Sequence, residues 1–188
     1  LAQRNIPKTA TLAGRRIALV GCGTIGGYVA DMLSRAGAGT GGGLFTLVDS
    51  DIMLPQNIGR HRLGFPDLLQ NKAEALARDI KRLAPGSDVR ALPVDVRKAN
   101  LGEIDLIIDA TGEESLGHWL SNHFRLPTPL LSVWIAGPGT AVRALLRANE
   151  RGACYRCLCN ANRRGDLPVT VAALPKLMAG HGCEGLYV

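Results

Sequence analysis

The sequence lacks any long apolar run. Its longest nearly apolar stretch, Leu130 to Gly137, has eight residues, against the roughly 20 that a membrane-spanning helix needs. No spanning helix and no membrane partner are therefore expected. The opening residues Leu1-Ala2-Gln3-Arg4-Asn5 carry no apolar core of the signal-peptide kind. Aromatic residues are scarce, at two Trp, three Tyr and three Phe, and no run of five Lys or Arg occurs. Base-stacking platforms and polybasic tracts are thus both missing, and nucleic acid is not an expected partner. Five cysteines are too few for a secreted disulfide scaffold. Three of them crowd together as Cys154, Cys157 and Cys159, which points to metal or redox chemistry in a reducing, cytoplasmic compartment. The chain does not start with Met and stops at Tyr187-Val188, so it is expected to be a piece of a longer protein.

What remains is ordinary globular material. A chain of 188 residues and 19.9 kDa holds one substantial domain. Its 46% hydrophobic and 20% charged content excludes a disordered tail. The net charge of +6 suits an anionic ligand or partner, such as a nucleotide or an acidic protein.

Short apolar runs without alternation read as strands buried on both faces. They lie at Ile17–Val20, Leu44–Val48, about Val89–Val94, Leu106–Ile108 and Leu130–Ile135, with one further strand expected within 140–147. Helical spacing falls at about Tyr28–Ala36, Asp67–Leu83 and Glu114–Phe124, and a short helix is expected at about Ala172–Met178. This order predicts an α/β fold: a Rossmann-like, doubly wound, mostly parallel sheet with helices on both faces. Residues 1–14 read as an N-terminal arm, 15–150 as a nucleotide-binding domain and 151–188 as a cysteine-containing loop region. Trp119 and Trp134 read as core, and His118 and His123 as surface or packing residues.

Gly21-x-Gly23-x-x-Gly26 follows the first strand and opens the first helix. Glycines there let the chain turn tightly and let phosphate approach the helix N-terminus, where free N–H groups and the helix dipole favour negative charge. Cys22 inside the turn reads as a small packing residue. Asp49 closes the second strand, where an acidic residue commonly accepts a ribose hydroxyl. The alternatives are a tight turn that binds nothing, or an NAD site of an oxidoreductase.

The stretch after Asp49 tips the choice. Asp51, Asn57, Arg60 and Lys72 follow the same turn within one loop and the start of the next helix. Arg grips phosphate oxygens in a bidentate way and Lys supplies a movable point charge. An NAD site neutralises its pyrophosphate mainly with backbone N–H groups and has less need of Arg60 and Lys72.

The pattern Asp49-x-Asp51, Asn57-x-x-Arg60 and Lys72 opening a helix resembles the ThiF/MoeB and ubiquitin-activating enzymes, over about residues 15–160. His61 departs from the Gln usual in that family and is similar to a bacterial branch linked to conjugating-enzyme domains. The resemblance implies adenylation: ATP as substrate, with Asp49 on the ribose and Asn57, Arg60 and Lys72 on the phosphates. It also implies Mg²⁺ on Asp109, at the end of the fourth strand. Open α/β sheets face their ligand crevice with strand C-termini, and Mg²⁺ favours carboxylate with phosphate oxygens, so Asp109 fits on chemistry too. The resemblance further implies a ubiquitin-like or sulfur-carrier-like protein substrate and a homodimer. Arg4 is a weaker match to an arginine that reaches a partner subunit's nucleotide.

Gly152-Ala153-Cys154-Tyr155-Arg156-Cys157 resembles the family's first zinc pair, since two thiolates one turn apart reach one tetrahedral metal. Cys159 or Cys183 are options for completing it. Cys183, beside His181 in a glycine-rich stretch, is the best-placed candidate for a reactive thiol that accepts an acyl group.

Overall fold

The computed structural model describes residues 11–124, 127–136, 141–168, 178–179 and 186–187. Strands β1 (Arg16–Val20), β2 (Leu44–Val48), β3 (Val89–Leu92), β4 (Leu106–Asp109), β5 (Leu130–Ala136) and β6 (Ala141–Arg147) form one sheet in the order β3-β2-β1-β4-β5-β6. The first five run parallel, and β6 adds antiparallel to β5. Helices α1 (Thr24–Arg35), α2 (Lys72–Leu83) and α3 (Glu114–His123) make three of the connections. A 3₁₀ turn, Val96–Lys98, lies in the β3–β4 crossover.

Side-chain alternation on β1 explains why both faces are covered. Ile17 and Leu19 pack with Phe45, Leu47, Leu76 and Ile80 under α1 and α2. Ala18 and Val20 pack with Val48, Ile107, Leu116 and Leu120 under α3. All four β1 residues are essentially inaccessible to water. Four consecutive apolar residues on one strand therefore need a layer of helices on each side. The expected doubly wound α/β architecture is the one observed.

Several boundaries differ from the sequence reading. The helix expected from Asp67 begins at Lys72, because Asn71 caps it and accepts from the N–H groups of Ala73 and Glu74 at 2.9 and 3.1 Å. Phe65–Asp67 instead form a 3₁₀ turn. The strand expected within 140–147 is β6. Tyr155–Arg163 form a fourth helix, α4, within the stretch expected to be loop. Trp119 and Trp134 are half-buried rather than core. Two short strands, β7 (Met178–Ala179) and β8 (Leu186–Tyr187), pair antiparallel. The helix expected at 172–178 lies outside the described residues except for Met178, which starts β7. Residues 11–14, the end of the expected arm, are tied to the sheet domain: Leu12 N–H donates to the Ala36 carbonyl and Gly14 N–H to Thr40. No helix among the described residues is long and apolar enough to cross a membrane.

Candidate nucleotide site

The chain winds outward in both directions from β1 and β4, so their C-terminal ends splay apart and leave a crevice. A cavity of about 220 Å³ sits there, with Gly21, Gly23, Asp49, Asp51, Lys72 and Thr111 in its lining.

The glycine turn forms the cavity's edge. Gly21 has φ +89°, and a Cβ on it would come within 2.9 Å of the Thr111 backbone nitrogen. A Cβ on Gly26 would lie 1.8 Å from the Gly21 carbonyl oxygen, so the turn closes only with glycine at both places. Gly23 is the N-cap of α1 and meets nothing within 4 Å. The first turn of α1 has no side-chain cap and no acidic residue. Its N–H groups and the positive end of its dipole are left for an anion.

Two contacts hold Cys22, which is fully buried. Its N–H donates to Asp49 Oδ2 at 2.6 Å, and its carbonyl accepts from His61 Nε2 at 2.7 Å. His61 Nδ1 accepts from the Leu63 N–H at 3.0 Å, which fixes the proton on Nε2. Burial also pushes the imidazole below its ordinary pKa, so the ring is held neutral. This contact ties the segment carrying Asn57 and Arg60 to the glycine turn. The sequence marked His61 only as a departure from the family pattern; its clamp on Cys22 had no sequence signal.

Asp49 also accepts from the Asp51 N–H at 2.8 Å. Burial raises its pKa despite these two backbone donors. Asn71 joins the end of β2 to the start of α2, donating to the carbonyls of Asp49 at 2.8 Å and Asp51 at 3.0 Å. That places Lys72 on the cavity wall, its Nζ 3.0 Å from Asp51 Oδ2.

Asn57 and Arg60 are not in the cavity lining. Asn57 is buried and its Oδ1 accepts from the Leu54 N–H at 3.0 Å. Arg60 is half-buried, and its Nε is sealed from solvent with no hydrogen-bond partner. Its neighbour Arg62, which the sequence reading passed over, joins α1 to α2 through Asp31, at 3.3 Å, and Asp79.

Asp109 is buried at the end of β4 and stands outside the cavity lining. Its Oδ1 accepts from Thr111 N–H at 3.1 Å and Thr111 Oγ1 at 2.7 Å, and the Ser132 hydroxyl donates to the same carboxylate. Burial raises its pKa, and Glu113 pushes the same way. Asp109 makes no ion pair among the described residues. A buried carboxylate without a counter-charge is a chemical fit for a cation. The cavity itself carries four carboxylates, Asp49, Asp51, Asp95 and Glu113, against the cations Lys72 and Arg97. Polyphosphate therefore fits there only with added positive charge, from a divalent ion or from Arg60.

Cys154 is the N-cap of α4, and its Sγ lies 3.5 Å from Cys157 Sγ. The backbone N–H of Cys157 is the main cause that lowers the Cys154 thiol pKa. Two legs of a tetrahedral zinc–sulfur site stand roughly 3.8 Å apart, given bonds of about 2.3 Å, so the pair fits half of one. Cys159 groups with other ligand atoms, Glu114 and His118. Arg4, His181 and Cys183 lie outside the described residues.

A glycine turn, an acid at the end of β2 and a lysine at the switch point of a doubly wound sheet define a nucleotide-binding α/β protein. The chain belongs to the ThiF family, whose profile matches residues 4–180, and so to the E1-like adenylyltransferases. It is 71% identical to the ATP-dependent ubiquitin transferase-like protein Cap2 of Pseudomonas aeruginosa over all 188 residues, which are 35% of that protein. It is 34% identical to the Cap2 protein of Escherichia coli across 80% of this chain and 26% of that one. The chain thus spans about a third or less of the length of these relatives. Among solved structures it resembles E. coli MccB with AMPCPP and MccA (TM-score 0.66, 20% identity, 81% of this chain and 47% of that one). It also resembles E. coli tRNA N6-threonylcarbamoyladenosine dehydratase, TcdA (TM-score 0.57, 24% identity, 69% and 57%). At these identities the likeness concerns the fold.

Proposed function

We propose that this chain is the nucleotide site of an enzyme that adenylylates the C-terminal carboxylate of a ubiquitin-like protein. The observation that carries the reading is the buried Lys72 beside Asp51 at the mouth of the glycine turn. A lysine so placed, at the N-terminus of α2 and over an anion-accepting helix end, serves phosphate rather than bulk solvent. The Cap2 relatives are named ATP-dependent ubiquitin transferase-like, which supports the same substrate class.

The substrate carboxylate oxygen attacks the α-phosphorus of ATP. The bond from that phosphorus to the bridging oxygen breaks, and pyrophosphate leaves with the electron pair. The product is an acyl-adenylate. Lys72 and the first turn of α1 hold phosphate oxygens; Arg60 and Asn57 reach the departing groups from the neighbouring loop; Asp49 accepts from the ribose. Bound Mg²⁺ supplies charge neutralisation to the phosphates, and Asp109 is the residue to hold it. Catalysis is then positioning plus charge stabilisation. Transfer to a thiol would follow, the sulfur attacking the acyl carbon with AMP as leaving group; Cys183 is the sequence-level acceptor. A homodimer and a conjugating-enzyme domain are the partners this reading implies, and zinc at Cys154 and Cys157 its structural metal.

Thermal unfolding of the full-length protein with MgATP or NAD⁺ tests the reading. At about 100 times the dissociation constant, a native-state ligand adds about 2.7 kcal/mol, or roughly 5–10 °C for a domain this size. A shift with MgATP, with pyrophosphate exchange into ATP when carboxylate substrate is added, is expected. A shift with NAD⁺ alone would overturn the proposal in favour of hydride transfer.

A further inference from the structure

Helix α4 packs against α3. The phenol end of Tyr155 sits against Gly117, where a Cβ would come within 2.5 Å of Tyr155 Cζ. The close approach brings three different ligand types together. Glu114 and His118 lie one turn apart on α3, with His118 Nε2 3.5 Å from Glu114 Oε1. Cys159 projects from α4 and is only 8% exposed. One donor atom from each of the three falls within 4.8 Å of the others.

The geometry points to Glu114, His118 and Cys159 as a three-ligand site for a divalent transition metal of the zinc type, which fastens α4 to α3. Zinc bonds of about 2.0–2.3 Å put donor atoms of a tetrahedral site roughly 3.3–3.7 Å apart. The Glu114–His118 separation already meets that spacing, and rotation of the Cys159 side chain closes the remaining gap. Imidazole, carboxylate and thiolate together suit zinc or cobalt over magnesium or calcium. The two anionic ligands balance the charge of a divalent ion. Tyr155 donates a hydrogen bond to the Cys159 sulfur. Arg163 pairs with the same Glu114 Oε1, whose second lone pair remains for a metal, and serves as the carboxylate's outer partner. Tyr155 also walls the site on one side, edge-on to His118 at 5.2 Å and against Trp134 at 5.6 Å. The site is separate from the Cys154–Cys157 pair and independent of the nucleotide reading. Its effect is to fix the cysteine-bearing segment onto the helix that follows β4.

Metal-stripped full-length protein, titrated with Zn²⁺ and with Co²⁺ as a spectroscopic probe, tests it. Wild type is expected to bind one equivalent more than His118→Ala or Cys159→Ser. Each substitution should weaken that equivalent by more than the roughly 100-fold typical of losing an outer partner. Cys159→Ser should also remove the cobalt–thiolate charge-transfer band of this site. If Cys159→Ser does not fold, His118→Ala and Glu114→Gln, both at solvent-reachable positions, carry the test. Zinc-edge absorption of wild type should need nitrogen and oxygen as well as sulfur in its first shell. An all-sulfur shell, equal stoichiometry and affinity in wild type and His118→Ala, or no metal bound at all would each overturn the assignment.

Discussion

Lys72 Nζ lies 3.0 Å from Asp51 Oδ2, and the burial is lopsided: the lysine side chain is 5% exposed and the aspartate 66%. The ammonium is thus the desolvated partner, while Asp51 keeps most of its water. An anion entering the cavity meets a positive charge that the protein has already stripped of solvent, and this strengthens its pull.

This lopsidedness separates stability from activity at Lys72. Lys72→Met keeps the aliphatic packing and leaves behind only a solvated carboxylate. Its unfolding midpoint should stay within a few degrees of wild type, because the substitution removes the buried charge and the carboxylate left behind is solvated. Pyrophosphate exchange should fall roughly 100- to 1000-fold, the usual loss for one preorganised donor. Unchanged exchange in a folded Lys72→Met protein would remove Lys72 from its phosphate role.

The parallel strands and the glycine turn were legible because they are local. A run such as Ile17-Ala18-Leu19-Val20 has only one way to hide four apolar side chains, between two helical layers. Asp49, Asp51 and Lys72 were legible for a similar reason: each sits at the junction of a readable strand or helix. The start of α2 differs from the expectation because the apolar spacing runs on through Leu68, while the 3₁₀ turn ends at Asp67 and only the Asn71 cap, a hydrogen-bonding choice, starts the helix. α4 went unread because Cys154-Tyr155-Arg156-Cys157 reads as a metal-binding loop, and the packing of Tyr155 against Gly117 of α3 has no local signal. Arg62 and His61 were invisible as contacts, since their partners Asp31, Asp79 and Cys22 are between 17 and 39 residues away.

His61 gives a pH prediction with a definite sign. Burial lowers its pKa in the folded chain from the ordinary 6.5. Between the lowered value and 6.5 the unfolded chain binds more protons than the native one. Stability is therefore complete above about pH 6.5 and falls as pH drops below it. Protonation would also remove the Nδ1 lone pair that receives the Leu63 N–H. Asp49 and Asp109, whose pKa values are raised by burial, act in the opposite direction at lower pH. Urea midpoints of wild type and His61→Gln at pH 7.5 and 5.5 should diverge: the glutamine keeps a donor for the Cys22 carbonyl but does not titrate, so its loss on acidification is smaller. Parallel losses in the two proteins would mean that His61 is not the titrating group.

Arg62 should matter to the fold and not to the chemistry. Its guanidinium bridges Asp31 of α1 and Asp79 of α2, with all three side chains between 15% and 25% exposed. Arg62→Leu breaks the bridge and leaves Asp31 with Arg35 and Asp79 with the more distant Arg82. Hydrogen bonds to charged groups are worth about 1.5–3 kcal/mol, which solvent screening at this exposure reduces, so a loss of about 1–2 kcal/mol is expected. For a domain of this size the midpoint should drop by roughly 2–8 °C. Nucleotide affinity measured well below that midpoint should be close to wild type; a large affinity loss there would show that the bridge positions the phosphate loop.

Arg60 should show the reverse pattern. Its Nε is buried without a partner, a state that costs stability until an acceptor arrives. Arg60→Ala removes the orphan donor, so the nucleotide-free protein should unfold within about 0.5 kcal/mol of wild type. Turnover should fall roughly 100- to 1000-fold. Arg60→Lys restores the charge but not the planar fork, so it should recover only part of the loss. The decisive comparison is stabilisation by MgATP. Wild type should gain more from saturating nucleotide than Arg60→Ala, because only wild type satisfies a donor on binding. Equal gains, with equal turnover, would place Arg60 outside the site and leave Lys72 and the α1 N-terminus to hold the phosphates alone.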